Sequence, residues 1–285
     1  MRFMTFERAD GCRGLAVHGA GQWRGLCDGD AGYPGDLDGL LATGADLAAV
    51  AERLSRGEVI DVATVRHLPP LGRPGKILCI GLNYVDHSNE AGFEPPSYPT
   101  VFARFASSLV GHGAPMIRPR QSQQLDYEGE LVAVIGRGGR NIPRDLALNH
   151  VAGYSIFNDG SVRDYQFKSP QWTMGKNFDT TGAFGPCFVS ADELPPGARG
   201  LRLQTRLNGR AVQDATTADM LFDVPTLVSL LSEVMTLSAG DIIVTGTPGG
   251  VGMARKPPLY MQPGDVCEVE IESIGVLRTP VVQGE

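Results

Sequence analysis

From residue 76 onward the chain is a succession of short β-rich runs, each closed by a residue that cannot extend it, and this limits the fold more than any single motif. The runs are 76–83 (KILCIGLN), 125–136 (LDYEGELVAVIG), 150–159 (HVAGYSIFND), 185–190 (GPCFVS), 201–209 (LRLQTRLNG), 241–246 (DIIVTG) and 265–273 (DVCEVEIES). β-Branched and aromatic residues suit a pleated, half-buried surface, and glycine, proline, asparagine and aspartate punctuate it. The 37 glycines and 20 prolines among 285 residues supply turns and follow no collagen-like period. Helices are the exception. Leu227, Leu230, Leu231 and Val234 recur at helical spacing within 224–237, as do Leu47, Val50 and Leu54 within 46–54. The pattern predicts a β-rich α+β fold.

The stretch 67–75 (HLPPLGRPG) cannot continue regular structure. It divides the chain into a small N-terminal domain over 1–68, a linker over 69–75 and a main domain over 76–285. Hydrophobic residues at 42% and charged residues at 20% describe a globular chain, not a disordered one. A formal charge of −7 with no basic stripe argues against nucleic acid as a partner. The start has charges where a signal peptide needs an apolar core, and no run of 18 apolar residues offers a membrane span. A cytoplasmic location is expected. Cys12, Cys27, Cys79, Cys187 and Cys267 are odd in number and never spaced C-x-x-C, which reads as reduced thiols.

Several nucleotide and hydrolase signatures fail. The run GAGQWRG at 19–25 misses dinucleotide-loop spacing by one residue and follows no clear strand. Neither Gly75-Lys76 nor Gly175-Lys176 completes a phosphate loop, and neither H-E-x-x-H nor G-x-S-x-G occurs.

What survives is a set of carboxylates. Glu128 and Glu130 are two apart in an apolar run, so on a strand both point to one face. Side by side, they form either a solvent-facing acidic pair or hard oxygen ligands suited to Mg2+, Mn2+ or Ca2+. The apolar residues on both faces of that run favour a buried, central strand. The run at 150–159 ends abruptly on Asp159, which makes it the natural third ligand, whereas Ser161 and Asp164 have capping-box spacing that gives Asp164 a structural role. In 81–92, Asn83 as N-cap and Gly92 as stop bound a short helix carrying His87 and Glu90 on one face. Such a pair is either a surface contact or an imidazole oriented as a general base. Lys176 stands between glycine and polar residues, and Thr245 and Thr247 decorate a glycine-rich turn that can present N–H groups and hydroxyls to a carboxylate.

Together N-Y-x-x-H-x-x-E at 83–90, Y-E-x-E-L at 127–131, N-D-x-S-x-R-D-x-Q at 158–166, G-K-N-F-D at 175–179 and T-G-T-P-x-G-V-G at 245–252 resemble, in order and spacing, the fumarylacetoacetate hydrolase family over about 76–282. Within it the chain looks like the short branch of acylpyruvate hydrolases and 2-hydroxyhepta-2,4-diene-1,7-dioate isomerases. The resemblance implies a mixed β-sheet roll or sandwich, usually dimeric. It implies a divalent cation, Mg2+, Mn2+ or Ca2+, on Glu128, Glu130 and Asp159, and a His87/Glu90 dyad that activates water. Lys176 matches the lysine near the reacting oxygen, and Arg163, Gln166 and Thr247 match substrate contacts. Val162 departs from the alanine more usual there. The implied activity is hydrolysis of a C–C bond in an acylpyruvate-like 2-oxo acid, in a setting such as aromatic catabolism. Isomerisation of a 2-hydroxy-dienedioate, decarboxylation of oxaloacetate and hydration of a 2-oxo-enoate use the same site, and a non-catalytic, metal-braced protein is the remaining alternative.

Overall fold

A computed structural model describes residues 1–90, 94 and 96–285; Gly92 lies outside them. Its largest element is a twelve-stranded mixed sheet. Its main path runs from Glu58–Ile60 through Gln22–Cys27, Arg13–Gly19, Arg2–Glu7, Gly182–Ser190, Val151–Asp159, Gly129–Ile135, Ile242–Val244 and Ile77–Gly81 to Thr100–Arg104. The N-terminal strands therefore continue the main sheet, Phe3 pairing with Phe188 across the junction. A five-stranded sheet of Arg210–Thr216, Arg202–Leu207, Val266–Ile271, Gly275–Gln283 and Met116–Arg118 forms a second layer.

The strand Gly129–Ile135 is central, buried at every position and paired antiparallel on both sides. Its period of two sorts the core. Leu131, Ala133 and Ile135 pack in one cluster with Leu203, Val269 and Leu277 of the second sheet. Val132 and Val134 pack in the opposite cluster with Leu40, Val50 and Leu54. Those leucines and valine come from the helices Leu37–Ala42 and Leu47–Ser55, started by the side chains of Asp36 and Asp46. Glu128 and Glu130 continue the row of Val132 and Val134 and so share their face. Asp159 shares the parity of Phe157, which lies opposite Glu130 and in the same cluster. The sheet thus delivers all three carboxylates to one side.

The helix at Val224–Val234 forms as the spacing predicts, with Asp223 accepting from the Thr226 N–H and proline in its first turn. The run at 19–25 is a two-residue hairpin, with Ala20 and Gly21 at φ 50° and 76° between the pairs Gly19–Gln22 and His18–Trp23. Among the described residues no helix is long and apolar enough to cross a membrane.

Candidate active site

The strand ends converge on a cavity lined in part by Glu128, Glu130, His87, Arg163, Gln166, Lys176 and Thr247, with Phe102, Trp172 and Met253 on its apolar side. Glu128, Glu130 and Asp159 offer one oxygen each within 4.8 Å of one another, and all three are buried. Their backbone is fixed first. The Asp159 N–H donates to the Glu128 carbonyl at 2.8 Å, and the Glu128 N–H to Asn158 Oδ1 at 3.0 Å.

Three like charges this close demand compensation. Against burial, Arg163 and Lys176 hold the Glu128 carboxyl far below the usual carboxylate range. Burial together with Asp159 and Glu128 pushes Glu130 well above it. Lys176 Nζ lies 2.5 Å from Glu128 Oε2 and 2.7 Å from Asp159 Oδ2. Those carboxylates raise its pKa despite burial. The trio of oxygen donors, with Glu130 in no ion pair among the described residues, fits a hard divalent cation.

His87 is buried and its Nδ1 lies 3.2 Å from Glu90 Oε1. Glu90 is itself held by the N–H groups of Gly250 at 2.7 Å and Val251 at 3.3 Å. The glycine-rich turn after Ile242–Val244 thereby orients the dyad, and its Gly246 N–H donates to Glu130 Oε2 at 2.5 Å. Thr247 and Thr245 serve this turn too. Their hydroxyls donate to the carbonyls of Gly129 and Leu131, each at 3.0 Å, and Thr247 also accepts from Gln213 at 2.8 Å. Arg163 lies 2.6 Å from Glu128 Oε1, donates to Asp126 at 2.9 Å and to Gln166 at 2.8 Å.

Two local expectations are replaced by other contacts. Asn83 does not cap the helix Val85–Glu90. Its amide donates to the carbonyls of Phe222 at 3.0 Å and Thr245 at 2.7 Å, tying two loops together. The Ser161/Asp164 capping box does not form, because the helix Arg163–Gln166 starts after Val162. Asp164 instead accepts from Ser122 at 2.6 Å and Ser161 donates to the Asp159 carbonyl at 2.8 Å.

Sequence reasoning also missed Asp126 and Arg104. Asp126 accepts from the N–H groups of Gly252 and Met253, at 2.8 and 2.9 Å, while holding Arg163. Arg104 is buried and donates to Asp159 Oδ1. The available signal was a lone cation closing the apolar run TVFAR.

Residues 76–282 match the fumarylacetoacetate (FAA) hydrolase C-terminal family. The chain belongs to the fumarylacetoacetate hydrolase family. It is 37% identical to an oxaloacetate tautomerase of Xenopus laevis, described as mitochondrial, over 99% of this chain and 90% of that protein. The solved fumarylacetoacetate hydrolase of Exiguobacterium antarcticum covers all of both chains at 38% identity and a TM-score of 0.86. The maleylpyruvate hydrolase of Sphingobium, solved with manganese(II) ion and pyruvate, also covers all of both chains, at 27% identity and a TM-score of 0.82. Members of this family are enzymes of hydrolysis, isomerisation and tautomerisation, and the mixed-sheet fold and acidic cluster of this chain agree with that membership.

Proposed function

We propose that this chain is a divalent-metal-dependent enzyme that transfers a proton at the carbon beside the carbonyl of a small 2-oxo acid, with oxaloacetate keto–enol interconversion as its first activity. The observation that carries the reading is the buried His87, held by Glu90 at 3.2 Å beside the acidic trio. With Nδ1 engaged by Glu90, Nε2 is the nitrogen left to accept a proton. The 37% identity to an oxaloacetate tautomerase along nearly the whole chain supports this substrate class.

Glu128, Glu130 and Asp159 would hold the cation, which when bound polarises the carboxylate and 2-oxo oxygens of the substrate. Arg163, fixed by Asp126 and Gln166, sets a cationic wall for the carboxylate. His87 removes a proton from C3, the C–H electron pair becomes the carbon–carbon double bond, and the 2-oxo oxygen takes up a proton from solvent while the imidazolium returns its own to solvent. The Lys176 ammonium stabilises the charge that develops on that oxygen.

Hydrolysis of an acylpyruvate-like 1,3-dicarbonyl is the second reading, supported by the same dyad and by the likeness to maleylpyruvate hydrolase. There His87 would deprotonate water, hydroxide would attack the distal ketone, and the broken C–C pair would remain on the pyruvate carbon until protonated. Oxaloacetate and acetylpyruvate, each assayed with Mg2+ and with Mn2+, separate the two. Deuterium exchange at C3 without cleavage supports tautomerisation, and release of pyruvate and acetate supports hydrolysis. Inactivity on both substrates, or activity that survives both chelator and Glu128→Gln, would sink the metal-dependent reading.

A further inference from the structure

Each carboxylate of the acidic trio has one oxygen held by a cation or an N–H group built into the protein. Glu128 Oε1 lies 2.6 Å from Arg163 Nη2, and Glu130 Oε2 accepts from the Gly246 N–H at 2.5 Å. Asp159 Oδ1 accepts from Arg104 Nη1. One oxygen per group is left for the centre, and Lys176 marks two of these by touching Glu128 Oε2 and Asp159 Oδ2.

Arg104 is the least movable of the side-chain anchors. Its side chain is fully buried. Nε donates to Ser108 Oγ at 3.2 Å, Nη1 also to the Gly160 carbonyl at 3.2 Å, and Nη2 to Thr181 Oγ1 at 2.9 Å. Phe157 stacks beneath it, ring centroid 5.6 Å from Cζ. Gly182 leaves room for it, since a Cβ there would lie 2.9 Å from Nη2. A guanidinium held at every nitrogen cannot follow Asp159 if that carboxylate rotates to present both oxygens.

Ca2+ takes a larger, flexible shell and accepts bidentate carboxylates, whereas Mg2+ demands a tight octahedron of single oxygens. Resting on the reading that the trio holds a divalent cation, we propose that Arg104 is a positioning residue that restricts Asp159 to one donor oxygen and thereby makes the site prefer Mg2+ and Mn2+ over Ca2+.

The test is titration of the full chain with Mn2+, followed by electron paramagnetic resonance, with Ca2+ as competitor. Arg104→Met frees Asp159 Oδ1, and the Mn2+-over-Ca2+ preference falls about tenfold, in the range of outer-shell effects on metal affinity. If wild type binds neither ion, the reading of the trio as a metal site fails. If wild type binds and Arg104→Met keeps the same preference, or weakens both ions equally, this inference alone fails. Should Arg104→Met not fold, Thr181→Val, which removes the acceptor of Nη2 and retains the arginine, decides it: a smaller shift in the same direction supports the role and an unchanged preference overturns it.

Discussion

His87 is tied to Glu90 at 3.2 Å, and Glu90 to the backbone of the glycine-rich turn, so the imidazole can be removed without disturbing the acidic trio. A positioned general base contributes about 10²–10⁴-fold. His87→Ala should therefore lower kcat on the best 2-oxo acid by about that factor while Mn2+ affinity stays at the wild-type value. Steady-state kinetics beside metal titration check it, and unaltered kcat would remove His87 from the chemistry. At this scale the sequence was informative where function follows local spacing. Glu130 lies on the strand Gly129–Ile135 and Glu128 just before it, His87 and Glu90 are three apart on a helix, and each pairing was readable from local spacing. Arg104 and Asp126 stayed hidden because their partners Asp159 and Arg163 lie 55 and 37 residues away, a relation no local period encodes.

Among the elements, the short helices Arg163–Gln166 and Thr173–Lys176 carry Arg163, Gln166 and Lys176 and pack on each other through Gly175. A Cβ on Gly175 would lie 2.4 Å from the Gln166 backbone nitrogen, and backbone cannot swing aside as a side chain can. Gly175→Ala must part the helices and shift Lys176 relative to Glu128 and Asp159. Misplacing a catalytic group by an ångström costs about 10²-fold, so kcat should fall by that order. Overpacking of this kind costs about 1–3 kcal/mol, a loss readable by thermal melting. Retention of both kcat and melting temperature would show that the helices accommodate the methyl group. The sequence anticipated neither helix as a packed pair. It did place the central strands, because Gly129–Ile135 and Val151–Asp159 are continuous apolar runs. Strand Arg210–Thr216 was overlooked, since RAVQDAT has little β character of its own and is held by pairing with Arg202–Leu207.

The molecule as a whole is stitched across distant segments, and histidine shows where. Just ahead of the stretch 69–75, His67 pairs with Phe6 and its ring lies 4.9 Å from that of His112. His112 in turn accepts from the Arg278 N–H at 3.1 Å, joining this region to the strand Gly275–Gln283 of the second sheet. Burial, with His67 and Arg278 adding to it, pushes His112 down from 6.5 to about 4, and burial lowers His67 as well. Between about 4 and 6.5 the unfolded chain therefore carries a proton at this position that the folded chain refuses. Stability rises with pH wherever the unfolded state binds more protons, so this contribution is intact above 6.5 and is lost as pH falls toward about 4. His112→Asn removes the titrating group and keeps an acceptor for the Arg278 N–H. Its melting temperature should fall less steeply on acidification through that window than the wild type's, with a residual slope from His67. Parallel slopes for the two proteins would mean that the His67–His112 contact is not where acid loosens the junction between the N-terminal segment and the second sheet.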